Sequence, residues 1–186
     1  MGGRVDVTAT RVERQDDTGV LETARLTLRQ LTVEDAAFIL TLVNEPSWLL
    51  HIGDKQVRTL DDARRYIAGG PMAMYARHGF GLYLAERRED AAPLGICGLL
   101  KRDTLEDVDI GFAFLPAYWG RGYAREAVVA TLAQAREAFG LARVVAIASP
   151  ANTSSIRLLE SVGFVFERAL RMPGEDHDVR LFGYST

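Results

Sequence analysis

Leu115-Pro116-Ala117-Tyr118-Trp119-Gly120-Arg121-Gly122-Tyr123-Ala124 joins an apolar run of strand length to a long helical stretch, with two glycines at the join. Amide N–H groups at a helix start lack intrahelical partners and carry partial positive charge, and glycine lets an anion approach the backbone closely. The stretch therefore reads as a phosphate-binding turn between a strand and a helix. A Walker loop does not fit, because no Gly-Lys-Ser or Gly-Lys-Thr is present. A dinucleotide fingerprint does not fit either, because Arg125 stands where its third glycine belongs. Taken alone, the turn equally fits a plain glycine-assisted helix start.

Upstream, Phe80 to Glu86, Leu94 to Lys101 and Val108 to Leu115 are apolar runs of strand length. The polar turns between them hold Asp90, Pro93, Asp103 and Asp107, and such short connections imply an antiparallel meander. A dinucleotide-binding fold requires βαβ alternation instead. Nearer the start, Leu26 to Gln30 alternates as a strand. Thr32 with Asp35 forms a capping-box pattern that opens a helix through about Val43, and Pro46 is expected to end that helical region. Thr59 with Asp62 repeats the pattern for a helix that stops at Gly69-Gly70, followed by a short helical piece from Pro71 to Arg77. Downstream come a helix from Tyr123 to Phe139, a strand from Arg143 to Ala148, and a helix from Thr153 to Val162. Strands Phe164 to Met172 and Val179 to Tyr184 follow, around Pro173-Gly174-Glu175-Asp176. The order βαα(α)βββαβαββ predicts an α+β fold with one central sheet flanked by helices.

The 186 residues suit one domain, with a core that buries roughly 70% of the unfolded chain's surface. Residues 1–20, rich in Gly, Thr, Asp and Arg without periodicity, read as a flexible leader, and 21–186 as a single domain. A net charge of −3 lacks the basic excess that drives binding to a phosphate backbone, so no nucleic-acid partner is expected. No run approaches the ~20 apolar residues of a membrane span, and the N-terminus has no signal-peptide core. No membrane partner is expected, and the cytoplasm is the expected location. Cys97, the lone cysteine, lies in an apolar run and reads as a small buried thiol. Glu175-Asp176-His177-Asp178 crowds its acids on one turn without distant partners, a poor cage, so no metal is expected.

Trp119-Gly120-Arg121-Gly122-Tyr123-Ala124 resembles the acetyl-CoA pyrophosphate loop, Gln/Arg-x-x-Gly-x-Gly/Ala, of GNAT-superfamily N-acetyltransferases, with Trp119 departing at the first position. The longer run from Pro116 to Ala124, followed by Asn152-x-x-Ser155-x-Arg157-Leu158-Leu159-Glu160-x-x-Gly163-Phe164, is similar to the ribosomal-protein N-terminal (Rim-type) branch. So are Glu22-Thr23-Ala24-Arg25-Leu26-x-Leu28-Arg29 and Leu94-Gly95-Ile96-Cys97-Gly98-Leu99. The resemblance covers roughly residues 21–184. It implies a mixed, mostly antiparallel sheet whose central strands, Asp109 to Leu115 and Arg143 to Ala148, splay apart around a pantetheine arm. It further implies that Phe114 and Leu115 pair with the pantetheine amide. By the same resemblance, the N–H groups of Gly120, Arg121, Gly122, Tyr123 and Ala124 hold the pyrophosphate, and Asn152 bonds the cofactor arm.

The implied reaction moves an acetyl group from acetyl-CoA, as co-substrate, directly to a primary amine. A protein or peptide N-terminus is the favoured acceptor, with small-molecule amines also in range. Such transfer requires a neutral amine, a stabilised oxyanion and a proton for the departing thiolate. Asp109 is the candidate base, although it equally suits a solvated carboxylate on an outward-facing strand, and Asp107 stands behind it. Ser155 and Tyr118 are candidate proton donors, although Ser155 equally suits a helix N-terminus and Tyr118 equally suits packing. Trp48, His51, Asp54 and the turn Glu175-Asp176-His177-Asp178 belong to the region expected to meet the acceptor, although packing suits Trp48 better and a solvated surface the acidic turn. An acyl-CoA-binding sensor or interaction module of the same fold is the alternative, and an edge at the final strands offers a route to a homodimer.

Overall fold

The computed structural model describes residues 21–186, so the expected leader lies outside the described residues. Eight strands form one sheet. They are β1 (Leu21–Glu22), β2 (Leu26–Gln30), β3 (Leu82–Arg87), β4 (Pro93–Leu100), β5 (Asp109–Phe114), β6 (Arg143–Ala148), β7 (Val165–Arg171) and β8 (Asp178–Ser185). Their order is β1-β2-β3-β4-β5-β6-β8-β7, and every neighbouring pair is antiparallel except β5 with β6. The predicted meander is β3-β4-β5. At the far side the sheet edge is β7, because the last strand, β8, lies inside between β6 and β7.

Helices α1 (Ala36–Val43), α2 (Pro46–His51), α3 (Leu60–Ile67), α4 (Ala73–His78), α5 (Tyr123–Glu137) and α6 (Thr153–Ser161) flank the sheet. Pleat alternation sorts the core. Leu82, Leu84 and Ile96 pack with Ile39, Leu42 and Ile67 from α1 and α3. Tyr83, Cys97 and Phe114 belong to the cluster that takes in Ala127, Val128 and Ala135 of α5. Both capping boxes form. The Thr59 hydroxyl accepts from the Asp62 N–H at 3.1 Å, and the Asp62 carboxylate accepts from the Thr59 N–H at 2.9 Å.

Three sequence expectations are corrected. Pro46 opens α2 rather than ending the helical region, because proline at the first helical position loses no hydrogen bond. The chain does not stop at Gly69-Gly70: it winds through a π-helical turn, Ala68–Met72, into α4, and the wider turn accommodates Pro71. Pro93 starts β4 rather than belonging to the turn before it, the first strand position being one that tolerates proline.

Candidate active site

The parallel strands β5 and β6 touch at one register pair, Asp109 with Val145, and the Val145 N–H donates to Val108 O at 2.9 Å. Past that bridge the strands part. Along an antiparallel ladder, successive residues turn their N–H and C=O groups alternately to either side. The Leu115 N–H donates to Leu94 O at 2.9 Å, which turns Leu115 and Ala113 toward β4 and leaves the backbone groups of Phe112 and Phe114 toward the gap. The Leu115 amide expected to meet the donor arm is thus already engaged by β4. The Phe114 carbonyl accepts the Trp119 indole N–H at 2.7 Å.

The gap opens into a cleft of about 570 Å³. At its mouth Gly120 and Gly122 hold φ of +71° and +81°, a region few residues but glycine enter easily. Gly122 is the N-cap of α5 and offers no side-chain cap, and the first intrahelical bond is Glu126 N–H to Gly122 O at 3.0 Å. The N–H groups of Tyr123, Ala124 and Arg125 therefore stand without intrahelical partners. A β-carbon on Gly120 would meet nothing within 4 Å, so space above the turn is open.

Eight of the expected site residues line this one cleft: Phe114, Tyr118, Gly120, Gly122, Tyr123, Ala124, Asn152 and Ser155. Leu115, Arg121 and Asp109 do not. Asn152 caps α6, its side-chain oxygen accepting from the Ser155 N–H at 3.1 Å and from the Ser154 hydroxyl at 3.0 Å. Ser155 thus gives the cap its amide rather than its hydroxyl. Tyr118 meets Tyr123 edge-on, ring centres 6.4 Å apart, with the Arg87 guanidinium 5.9 Å from its own ring centre.

Asp109 is 1% exposed at the fork where β5 and β6 meet, with the Arg102 Nε donating at 3.0 Å and 3.2 Å to its two carboxylate oxygens. Burial pushes its pKa above the usual carboxylate range, and Arg102 opposes the rise. Asp107 is half-exposed and pairs with Arg143 at 2.9 Å. Cys97 is fully buried, 3.5 Å from the Thr131 hydroxyl, its thiol pushed up to about 12 by burial. Among the described residues, no group of three or more His, Cys, Asp or Glu could hold a metal.

The opposite wall comes from α1 and α2, where Glu45, Trp48 and His51 line the cleft and Asp54 does not. Trp48 is 5% exposed, and its indole N–H has no hydrogen-bond partner among the described residues; neither has His51 Nδ1. Sequence reasoning missed Glu45, Arg125 and Arg157, the remaining charged lining residues. Arg125 lies in the first turn of α5 and Arg157 within the Asn152–Phe164 motif, and only the folded arrangement brings the two to one cleft. Open backbone on β5, a helix start with unpartnered N–H groups and two cations on the cleft wall fit a long donor that carries a pyrophosphate.

A sheet opened between its two parallel strands, with a helix start of unpartnered N–H groups at the mouth, fits an acyltransferase. The chain belongs to the GNAT acetyltransferase family: the family model described as acetyltransferase (GNAT) domain matches residues 25–165. It is 27% identical over 154 residues to the uncharacterized N-acetyltransferase YoaA of Bacillus subtilis, covering 82% of this chain and 86% of that protein. An acetyltransferase structure from Agrobacterium tumefaciens superposes with a TM-score of 0.78 at 24% identity, covering 95% of this chain and 99% of that one. RimL, a ribosomal L7/L12 α-N-protein acetyltransferase solved in complex with coenzyme A, superposes with a TM-score of 0.74 at 18% identity, covering 88% and 95%.

Proposed function

We propose that the chain acetylates a primary amine directly from acetyl-CoA bound in the cleft between β5 and β6, a peptide or protein N-terminus being the favoured acceptor. The observation that carries this reading is the open β5 edge running straight into the Gly120–Gly122 helix start. Acetyl-CoA supplies an activated thioester, and the chain's residues bind, orient and move protons around it. The N–H groups at the start of α5 take the pyrophosphate, and the Phe112 and Phe114 backbone aligns the arm. Asn152 keeps its side-chain N–H₂ free for that arm while its oxygen caps α6. Ser155 and Tyr118, both on the cleft wall, are the proton donors for the thiolate.

Asp109, held outside the lining, takes the amine proton through water at the fork. Neutralising an α-amine of pKa about 8 at pH 7 costs roughly 1.4 kcal/mol, against roughly 4.6 for a lysine of pKa about 10.4. So remote a base suits the α-amine better. The fold shared with RimL, a ribosomal L7/L12 α-N-protein acetyltransferase, supports the same acceptor class.

Thiol release from acetyl-CoA, measured against N-terminal peptides, lysine peptides, polyamines and aminoglycosides, tests this. Turnover selective for N-terminal peptides is expected. Turnover only with small amines replaces the acceptor, and no turnover with any amine defeats the reading.

A further inference from the structure

Arg25 stands just before β2, about a hundred positions from the glycine turn in sequence and against it in space. Its Nη1 donates to Arg121 O at 2.9 Å, and its Nε donates to Glu126 Oε2 at 2.7 Å. Glu126 Oε1 accepts the Arg25 backbone N–H at 2.8 Å and the Thr23 hydroxyl at 2.6 Å. The guanidinium carbon lies 4.5 Å from the Tyr123 ring centre, and Nη2 is the atom that a β-carbon on Gly122 would meet, at 3.3 Å. One side chain therefore touches the turn, the ring beside it and the first turn of α5.

The geometry has a direct consequence for the donor site. In a trans peptide the C=O and the following N–H point opposite ways, and no cis bond occurs among the described residues. Arg25 holds the Arg121 carbonyl on the outer side, so the Gly122 N–H is turned away from Arg25, toward the cleft that Gly122 lines. Glu126 lies in the first turn of α5, where a bare carboxylate would repel a phosphate, and Arg25 offsets that charge.

We infer that Arg25 is a positioning residue for the donor site, orienting the Gly122 N–H inward and neutralising Glu126 behind it. The inference rests on the reading that this turn receives the pyrophosphate of acetyl-CoA.

The test uses Arg25→Lys, which keeps a cation beside Glu126 but lacks the planar fork that reaches Arg121 O as well, and Arg25→Gln, which loses both. Calorimetric titration with CoA is expected to show affinity about tenfold weaker in Arg25→Lys and weaker still in Arg25→Gln, as for loss of a charged hydrogen bond. KM for acetyl-CoA rises in parallel, while kcat and KM for the amine stay within about twofold of the parent. With acetyl-pantetheine, which has no pyrophosphate, kcat/KM is unchanged. Thermal melting reports folding separately, and Arg25→Lys carries the test if Arg25→Gln fails to fold. Parental CoA affinity in a folded Arg25→Lys overturns the inference alone, as does an equal loss with acetyl-CoA and acetyl-pantetheine. A parent protein that binds no CoA overturns the donor-site reading and the inference together.

Discussion

Gly122 and Asp109 show how differently single residues disclose their roles. Gly122 is legible in sequence because its part is local: a turn between strand and helix requires positive φ, and glycine supplies it. Asp109 is legible as an acid within an apolar strand and as a candidate base by resemblance; its burial and its bond to Arg102 come from the folding of the β4–β5 loop over the fork. Burial raises the Asp109 pKa above its ordinary value, so the native state binds more protons than the unfolded chain between those two values. Stability is therefore lost as pH rises from about 4 through the raised value. Asp109→Asn cannot titrate, so its melting temperature should gain on the parent's between pH 4 and pH 7. A constant or shrinking gap in melting scans would contradict this. Under the proposed mechanism Asp109→Asn should lower kcat about a hundredfold with CoA affinity intact, and a parental kcat would remove Asp109 from the reaction. Cys97, fully buried with its thiol raised to about 12, should not react with a thiol reagent until the protein unfolds. Immediate labelling of the native protein would refute that, and its absence leaves thiol release a clean readout of turnover.

At the scale of elements, the strands and caps were readable because their signals lie within a few residues. Thr59 and Asp62 announce α3 by themselves. Pro46 and the Gly69-Gly70 pair misled because proline and glycine carry opposite meanings at a helix's start and in its interior, and only packing against the sheet decides between them. Gly98 has a role no local pattern reveals: a β-carbon there would lie 2.0 Å from the Gly81 carbonyl oxygen. Gly98→Ala should therefore destabilise the protein by about 1–3 kcal/mol, read from denaturant unfolding; unchanged stability would show that the strands separate freely. Asn152 caps α6, and Asn152→Ala should cost about 1 kcal/mol of stability. If its side-chain amide also holds the donor arm, CoA affinity falls as well; a stability loss without an affinity loss would confine Asn152 to the cap.

Across the whole molecule, the site exists because one parallel pair in an otherwise antiparallel sheet meets at a single bridge and then diverges. Element order made the sheet predictable. The cleft's far wall was legible in part: Trp48 and His51 belong to the region expected to meet the acceptor and line it, whereas Glu45 reaches it only through the packing of α1 and α2 against the sheet and Asp54 does not reach it. The charged lining is polarised, with Arg125 and Arg157 from α5 and α6 and Glu45 from the α1–α2 junction. That suits an anionic donor on one side and a cationic amine on the other. Calorimetric titration of CoA into the parent and into Gly122→Val most directly tests the claim that the β5–β6 cleft is the donor site. Saturable one-to-one binding by the parent, weakened at least about tenfold in a folded Gly122→Val, is the predicted result. Equal affinity in both proteins, or no binding by the parent, would contradict it.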